Sequence, residues 1–107
     1  MIATDQMKEI YERIQEPSAE GRRALATIIM TKGSTPRKVG AKMLVLPDGR
    51  FLGTIGGGCG EQDVFHEAVK VIEDGQSRIV DVDLTADEAG ESGDVCGGIM
   101  QVFVEPV

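Results

Sequence analysis

FLGTIGGGCGEQDVFHEAVKVIEDGQSRIVDVDL, residues 51–84, decides the fold. It opens on a short apolar run, 51–55, and passes through Gly56-Gly57-Gly58-Cys59-Gly60. It then enters a stretch, 61–74, with Phe65, Ala68, Val69 and Ile72 at helical spacing. Glu61 and Asp63 suit the positive first turn of that helix, and Gly75 is a natural residue just past its end. Residues 78–84 alternate Val80, Val82 and Leu84 with Asp81 and Asp83, the pattern of a strand with one wet face. Strand, glycine turn, helix and strand together make an α/β unit.

Working outward, residues 41–46 (AKMLVL) and 51–55 flank Pro47-Asp48-Gly49-Arg50, a turn sequence between apolar runs, so a β-hairpin is predicted. Residues 24–31 (ALATIIMT) read as a buried strand. Residues 5–16 place Met7, Ile10, Tyr11 and Ile14 on one helical stripe, with Thr4 as the expected cap. Residues 85–95 form an acidic loop, and 99–104 (IMQVFV) make a last strand ended by Pro106. The expectation is one small α/β (α+β) domain over residues 1–107, in the order αβββαββ. A mixed sheet of about five strands carries two helices, with strand order left open.

The size, 107 residues and 11.4 kDa, suits one domain. A hydrophobic content of 41% excludes a wholly disordered chain. No apolar run approaches the roughly 18 residues that span a bilayer. The segment MIATDQMKEI is charged within five residues and lacks a secretory core, so a cytoplasmic protein without a membrane role is expected. Two cysteines are too few for a disulfide scaffold or a four-thiolate zinc site.

The formal charge of −7 argues against general nucleic-acid binding, yet it is unevenly spread. Residues 1–21 sum to −3 and residues 61–107 to −10. Residues 22–50, with Arg22, Arg23, Lys32, Arg37, Lys38, Lys42 and Arg50 against Asp48, sum to +6. Such a stretch can form an anion site or a solvated face, and charge alone favours the solvated face.

The chemistry-bearing residues are the two cysteines. Cys59 stands between a predicted strand and a predicted helix, Cys96 stands in DVCGGIM before the last strand, and both touch glycines that allow a ligand close to the backbone. A helix start behind Cys59 favours a thiolate and can cradle a phosphate. Either cysteine alone reads as a small buried hydrophobe; the shared glycine context favours function. A dinucleotide fingerprint fails because Glu61 stands where a sixth-position glycine is needed, no Walker loop exists, and a nucleophile elbow fails at the same Glu61. His66 reads as a helix-surface residue rather than a ligand or base. Lys32-Gly33-Ser34-Thr35-Pro36-Arg37-Lys38-Val39-Gly40-Ala41-Lys42 is a polar loop in which Arg37 can grip an oxyanion with two parallel bonds.

Three segments, GSTPRKVGAKMLV, GTIGGGCGE and CGGIMQVFVEP, resemble in that order the signature stretches of the XdhC/CoxI family, over about residues 24–106. The family's Ser-x-Pro-Arg falls on Ser34, Pro36 and Arg37, and its Gly-x-[KR]-Met on Gly40, Lys42 and Met43. Its Gly-Gly-Cys-x-Glu falls on Gly57, Gly58, Cys59, Gly60 and Glu61, and its Cys-Gly-Gly on Cys96, Gly97 and Gly98. Gly60 stands where the family often carries an apolar residue. The resemblance implies a maturation factor for molybdenum hydroxylases such as xanthine dehydrogenase and carbon monoxide dehydrogenase, more a chaperone than a turnover enzyme. It would bind the molybdenum cofactor (molybdopterin) transiently, assist its sulfuration and deliver it to the apo-enzyme.

On that reading Ser34, Pro36, Arg37, Gly40, Lys42, Gly57, Gly58, Cys59, Glu61, Cys96, Gly97 and Gly98 line the cofactor site. Cys59 and Cys96 face the molybdenum. Partners implied are the hydroxylase apo-enzyme, a cysteine desulfurase, a separate subunit for the Rossmann-like C-terminal domain expected to be absent here, and a second copy of the chain. Other readings stay open: a thiol redox or sulfur-transfer protein using both cysteines, a small metal-binding domain, or a structural accessory subunit.

Overall fold

In a computed structural model the described residues are 2–17, 21–56, 60–85 and 97–107, with side chains described from residue 7 onward. The elements are α1 (Ile2–Gln15), β1 (Ala24–Lys32), β2 (Lys42–Val45), β3 (Phe51–Gly53), α2 (Glu61–Asp74), β4 (Arg78–Asp83) and β5 (Ile99–Pro106). The predicted number, type and order of elements all hold. The span of α2 matches the prediction residue for residue because glycines punctuate both ends: Gly60 and Gly75 take left-handed φ values of 74° and 72°. In contrast, α1 begins at Ile2, so Thr4 lies inside its first turn rather than capping it.

The strand order is β3-β2-β1-β5-β4. Every pairing is antiparallel, where a mixed sheet was expected. The reason lies in the crossover. β3 and β4, joined through α2, do run parallel, but they occupy opposite edges with β2, β1 and β5 between them. No two parallel strands therefore share hydrogen bonds. A bulge at Ile29 shifts the β1–β5 register between Ile28 and Met30, so Ile28 faces Val102 and Met30 faces Gln101.

Alternation along the strands divides the apolar residues between two faces. Ala24, Ala26, Ile28, Met43, Val45, Met100, Val102 and Val104 meet Val64, Ala68 and Val71 of α2. The buried stripe of α2 is thus centred on Val64, Ala68 and Val71, with Phe65 and Ile72 on its flanks and Val69 only half-buried. The helical period holds, but the centre of the stripe sits about one residue away from the predicted set. On the other face Leu25, Leu44 and Leu46 meet Ile10 of α1. Fully burying each such side chain contributes about 1.5–3 kcal/mol.

Two adjacent arginines fasten the helices to the sheet. Residues next to each other in extended chain point to opposite faces, and the two helices lie on opposite faces. Arg22 donates from Nε to Ile72 O (3.0 Å) and from Nη2 to Glu73 O (3.2 Å), at the end of α2. Arg23, 6% exposed, donates to the carbonyls of Arg13, Ile14 and Glu16 at the end of α1. Both guanidiniums satisfy orphan carbonyls at the negative ends of helix dipoles.

Candidate functional site

One corner of the sheet collects pieces of all three sequence segments. The chain leaves β1 at Lys32 and bends through Gly33, Ser34 and Thr35, with Thr35 Oγ1 donating to Arg37 O (3.0 Å). Gly98, just before β5, is buried under this bend. A Cβ on Gly98 would lie 2.8 Å from Lys32 O and 2.7 Å from Thr35 Cγ2, and would overlap Ser34 O. The Gly-Gly pair that suggested close approach by a ligand is therefore approached, at Gly98, by the chain's own backbone. Leu84, just past β4, donates from its N–H to Gly98 O (2.8 Å) and accepts from Gly97 N (3.0 Å). Gly60, at the head of α2, packs on the same strand end, where a Cβ would overlap Val82 Cγ1 and lie 3.4 Å from Leu84 Cδ2. That overlap explains the glycine at a position where an apolar residue was the family expectation.

The corner thus joins Ser34, Gly97 and Gly98 directly and reaches Gly60 through Leu84. Gly57, Gly58, Cys59 and Cys96, four of the predicted site residues, lie outside the described residues. Glu61 has a role inside the protein: it accepts a hydrogen bond from Thr54 Oγ1, which in turn accepts from Gly56 N (3.1 Å), closing the base of the glycine segment. Lys42 is also engaged, its Nζ donating to Thr27 Oγ1 (3.1 Å) on the sheet face that α1 leaves partly open.

The basic stretch sorts itself by partner. Arg22 and Arg23 hold helix ends, Lys42 bonds Thr27, and Arg50 pairs with Asp48 at 2.7 Å. Among the described residues Lys32, Arg37 and Lys38 make no ion pair, and these three flank the bend. The head of α2 already carries Glu61 and Asp63 in its first turn, which offsets its attraction for an added anion. The positive charge available to a ligand therefore lies on the bend rather than at the helix. On the far side, Asp83 at the end of β4 is held below its ordinary value by hydrogen bonds from the Thr85 hydroxyl and amide.

The XdhC and CoxI family model matches residues 18–83, well over half of the chain. The chain belongs to the XdhC and CoxI family. Among its relatives, an uncharacterized protein of Escherichia coli, YqeB, is 40% identical over 81 residues, covering 76% of this chain and 15% of that protein. A Bacillus subtilis protein, named as a probable xanthine dehydrogenase subunit, is 35% identical over 85 residues, 78% of this chain and 26% of that one. The molybdenum cofactor insertion chaperone PaoD of E. coli is 34% identical over 76 residues, 70% of this chain and 24% of PaoD. A crystal structure described as a xanthine dehydrogenase from Bacillus halodurans superposes with a TM-score of 0.76 at 34% identity. It covers 95% of this chain and 30% of that one. This XdhC/CoxI chain therefore spans less than a third of each of these proteins.

Sequence reading missed Thr54, whose bond to Glu61 spans seven positions, and Leu84, whose backbone bonds Gly97 and Gly98 while its side chain lies beside Gly60. It also missed that the Arg22-Arg23 pair serves the helices of this XdhC/CoxI fold. The available signal was the pair's place at the start of a strand, where alternation sends one guanidinium to each face. His66, read as a helix-surface residue, is indeed exposed on α2. It lines a groove of about 530 Å³ with Asp63, Glu67, Lys70, Glu73 and Asp81, none of which is a predicted site residue. No helix of the described residues is long and apolar enough to cross a membrane.

Proposed function

We propose that the chain carries the molybdenum cofactor as cargo, assists its sulfuration and passes it to the apo-enzyme of a xanthine dehydrogenase-type hydroxylase. The observation that supports this most is the packing of the Ser34–Thr35 bend on Gly98, with Gly60 on the adjoining strand end, so that segments far apart in sequence share one corner. The names of the relatives support the same reading. In it, Arg37 and Lys38, which have no ion-pair partner among the described residues, hold the phosphate of the cargo with charge-assisted bonds. Cys59 and Cys96, which lie outside the described residues, supply thiolates for the metal centre in this reading, since its softness suits sulfur ligands. The cargo itself supplies the redox metal centre of the hydroxylase; this chain supplies binding and protection, without turnover.

The partners in this reading are the apo-hydroxylase, a cysteine desulfurase as sulfur source, and a Rossmann-domain subunit. Assembly with a second copy belongs to the same reading, as does work in the cytoplasm.

The test is to purify the intact chain anaerobically from cells that make the cofactor, then assay pterin and molybdenum per chain. Wild type is expected to retain both, with at least about tenfold less in Arg37→Ala and Cys59→Ala. Wild-type protein free of pterin overturns the proposal, and a Cys59→Ala protein that retains as much as wild type overturns the role given to the thiols.

A further inference from the structure

A groove of about 310 Å³ runs between α1 and the bend, lined by Met7, Pro36, Arg37, Lys38, Val39 and Gly40. Its composition is unusual for solvated surface. Val39 is 58% exposed next to Arg37 and Lys38, which have no ion-pair partner among the described residues, and Met7 stands half-buried on the α1 side. An apolar floor with positive charge at its rim fits a ligand that is flat and apolar at one end and anionic at the other. The volume is at the lower end of the range of small-molecule sites. The larger groove beside α2 carries Asp63, Glu67, Glu73 and Asp81, so an anion is repelled there and drawn to this one.

We propose that this groove seats the ring system of a phosphorylated fused-ring heterocycle, and that α1 forms one wall of the seat through Met7. Met7 and Val39 pack on the ring faces, the thioether sulfur against the π-system, while Arg37 and Lys38 take the phosphate. This deepens the cargo reading above and rests on it for the choice of a pterin. The new element is α1, all of which precedes residues 18–83, the segment that the family model covers. Met7 thereby becomes a specificity-determining residue outside every segment that the resemblance marked.

The chain has no tryptophan, so a pterin's own fluorescence reports binding. Three probes are titrated: a pterin methyl phosphate, the same pterin without phosphate, and guanosine monophosphate in competition. Met7→Ala is expected to weaken both pterins about five- to tenfold, and Met7→Leu to restore them. Arg37→Ala is expected to weaken only the phosphorylated pterin, and Lys70→Ala in the other groove to change nothing. A thermal midpoint for Met7→Ala close to wild type separates the effect from misfolding. If the pterin phosphate binds wild type and Met7→Ala equally, the seat is overturned while the cargo reading stands. If guanosine monophosphate binds in a Met7-dependent way and pterins do not, the seat stands and the cargo reading falls. Wild type that binds none of the three overturns the seat.

Discussion

Gly98 has no room for a side chain because two backbone carbonyls and Thr35 stand where a Cβ would go. Gly98→Ala is expected to cost about 2–4 kcal/mol in urea unfolding, since backbone cannot swing aside as a side chain can. Gly60 differs. Its obstacle is Val82 Cγ1, together with its left-handed φ of 74°. Gly60→Ala in a Val82→Ala background is therefore expected to lose less than in wild type, with only the φ strain of about 1 kcal/mol remaining. Equal losses in both backgrounds would place the whole cost on φ. At this scale the sequence revealed that these glycines need close approach but not what approaches. A ligand, a carbonyl and a valine methyl all ask for the same missing Cβ, and only long-range pairing distinguishes them.

The elements were largely legible because local signals set them: glycines at both ends of α2, a Pro-Asp-Gly-Arg turn between β2 and β3, and alternation in β4. What holds the elements to one another was not, since the guanidiniums of Arg22 and Arg23 reach carbonyls 7 to 51 positions away. Arg23 ties the end of α1 to the sheet from a buried position, whereas Arg22 works from an exposed one. Arg23→Met is expected to destabilise by about 2–4 kcal/mol and to speed hydrogen exchange in α1. Arg22→Ala should stay within about 1 kcal/mol. If Arg23→Met leaves α1 exchange unchanged, the helix is held by Ile10 and Ile14 alone. The candidate corner was legible only as three separate segments; the bend and Gly98 meet directly, and Gly60 joins them through Leu84, which no motif contains.

At the scale of the whole fold, three carboxylates among the described residues are held low and respond to acid. Asp48 is lowered first by the Arg50 amide and Asp74 by the Gln76 amide, with Arg50 and Arg78 adding to each, while Asp83 is lowered by Thr85. A folded-state value below the unfolded one gives stability that is full above the ordinary carboxylate range near pH 4 and fades as pH falls through the lowered values. Partial neutralisation of the net −7 works the other way between pH 7 and 5. The thermal midpoint is therefore expected to be flat or slightly rising from pH 7 to 5 and to drop below about pH 4. Asp74→Asn should make the drop shallower; an unchanged curve would mean that other carboxylates dominate.

Strand order, the largest gap in the sequence reading, has its own outcome. β5 follows every other strand in sequence yet lies between β1 and β4. During synthesis, β1 must therefore wait with one edge unpaired until nearly the whole stretch has left the ribosome. A nascent chain in that interval offers an open edge to chaperones and to other unfinished chains. It also has no assembled corner until β5 has paired with β1 and β4.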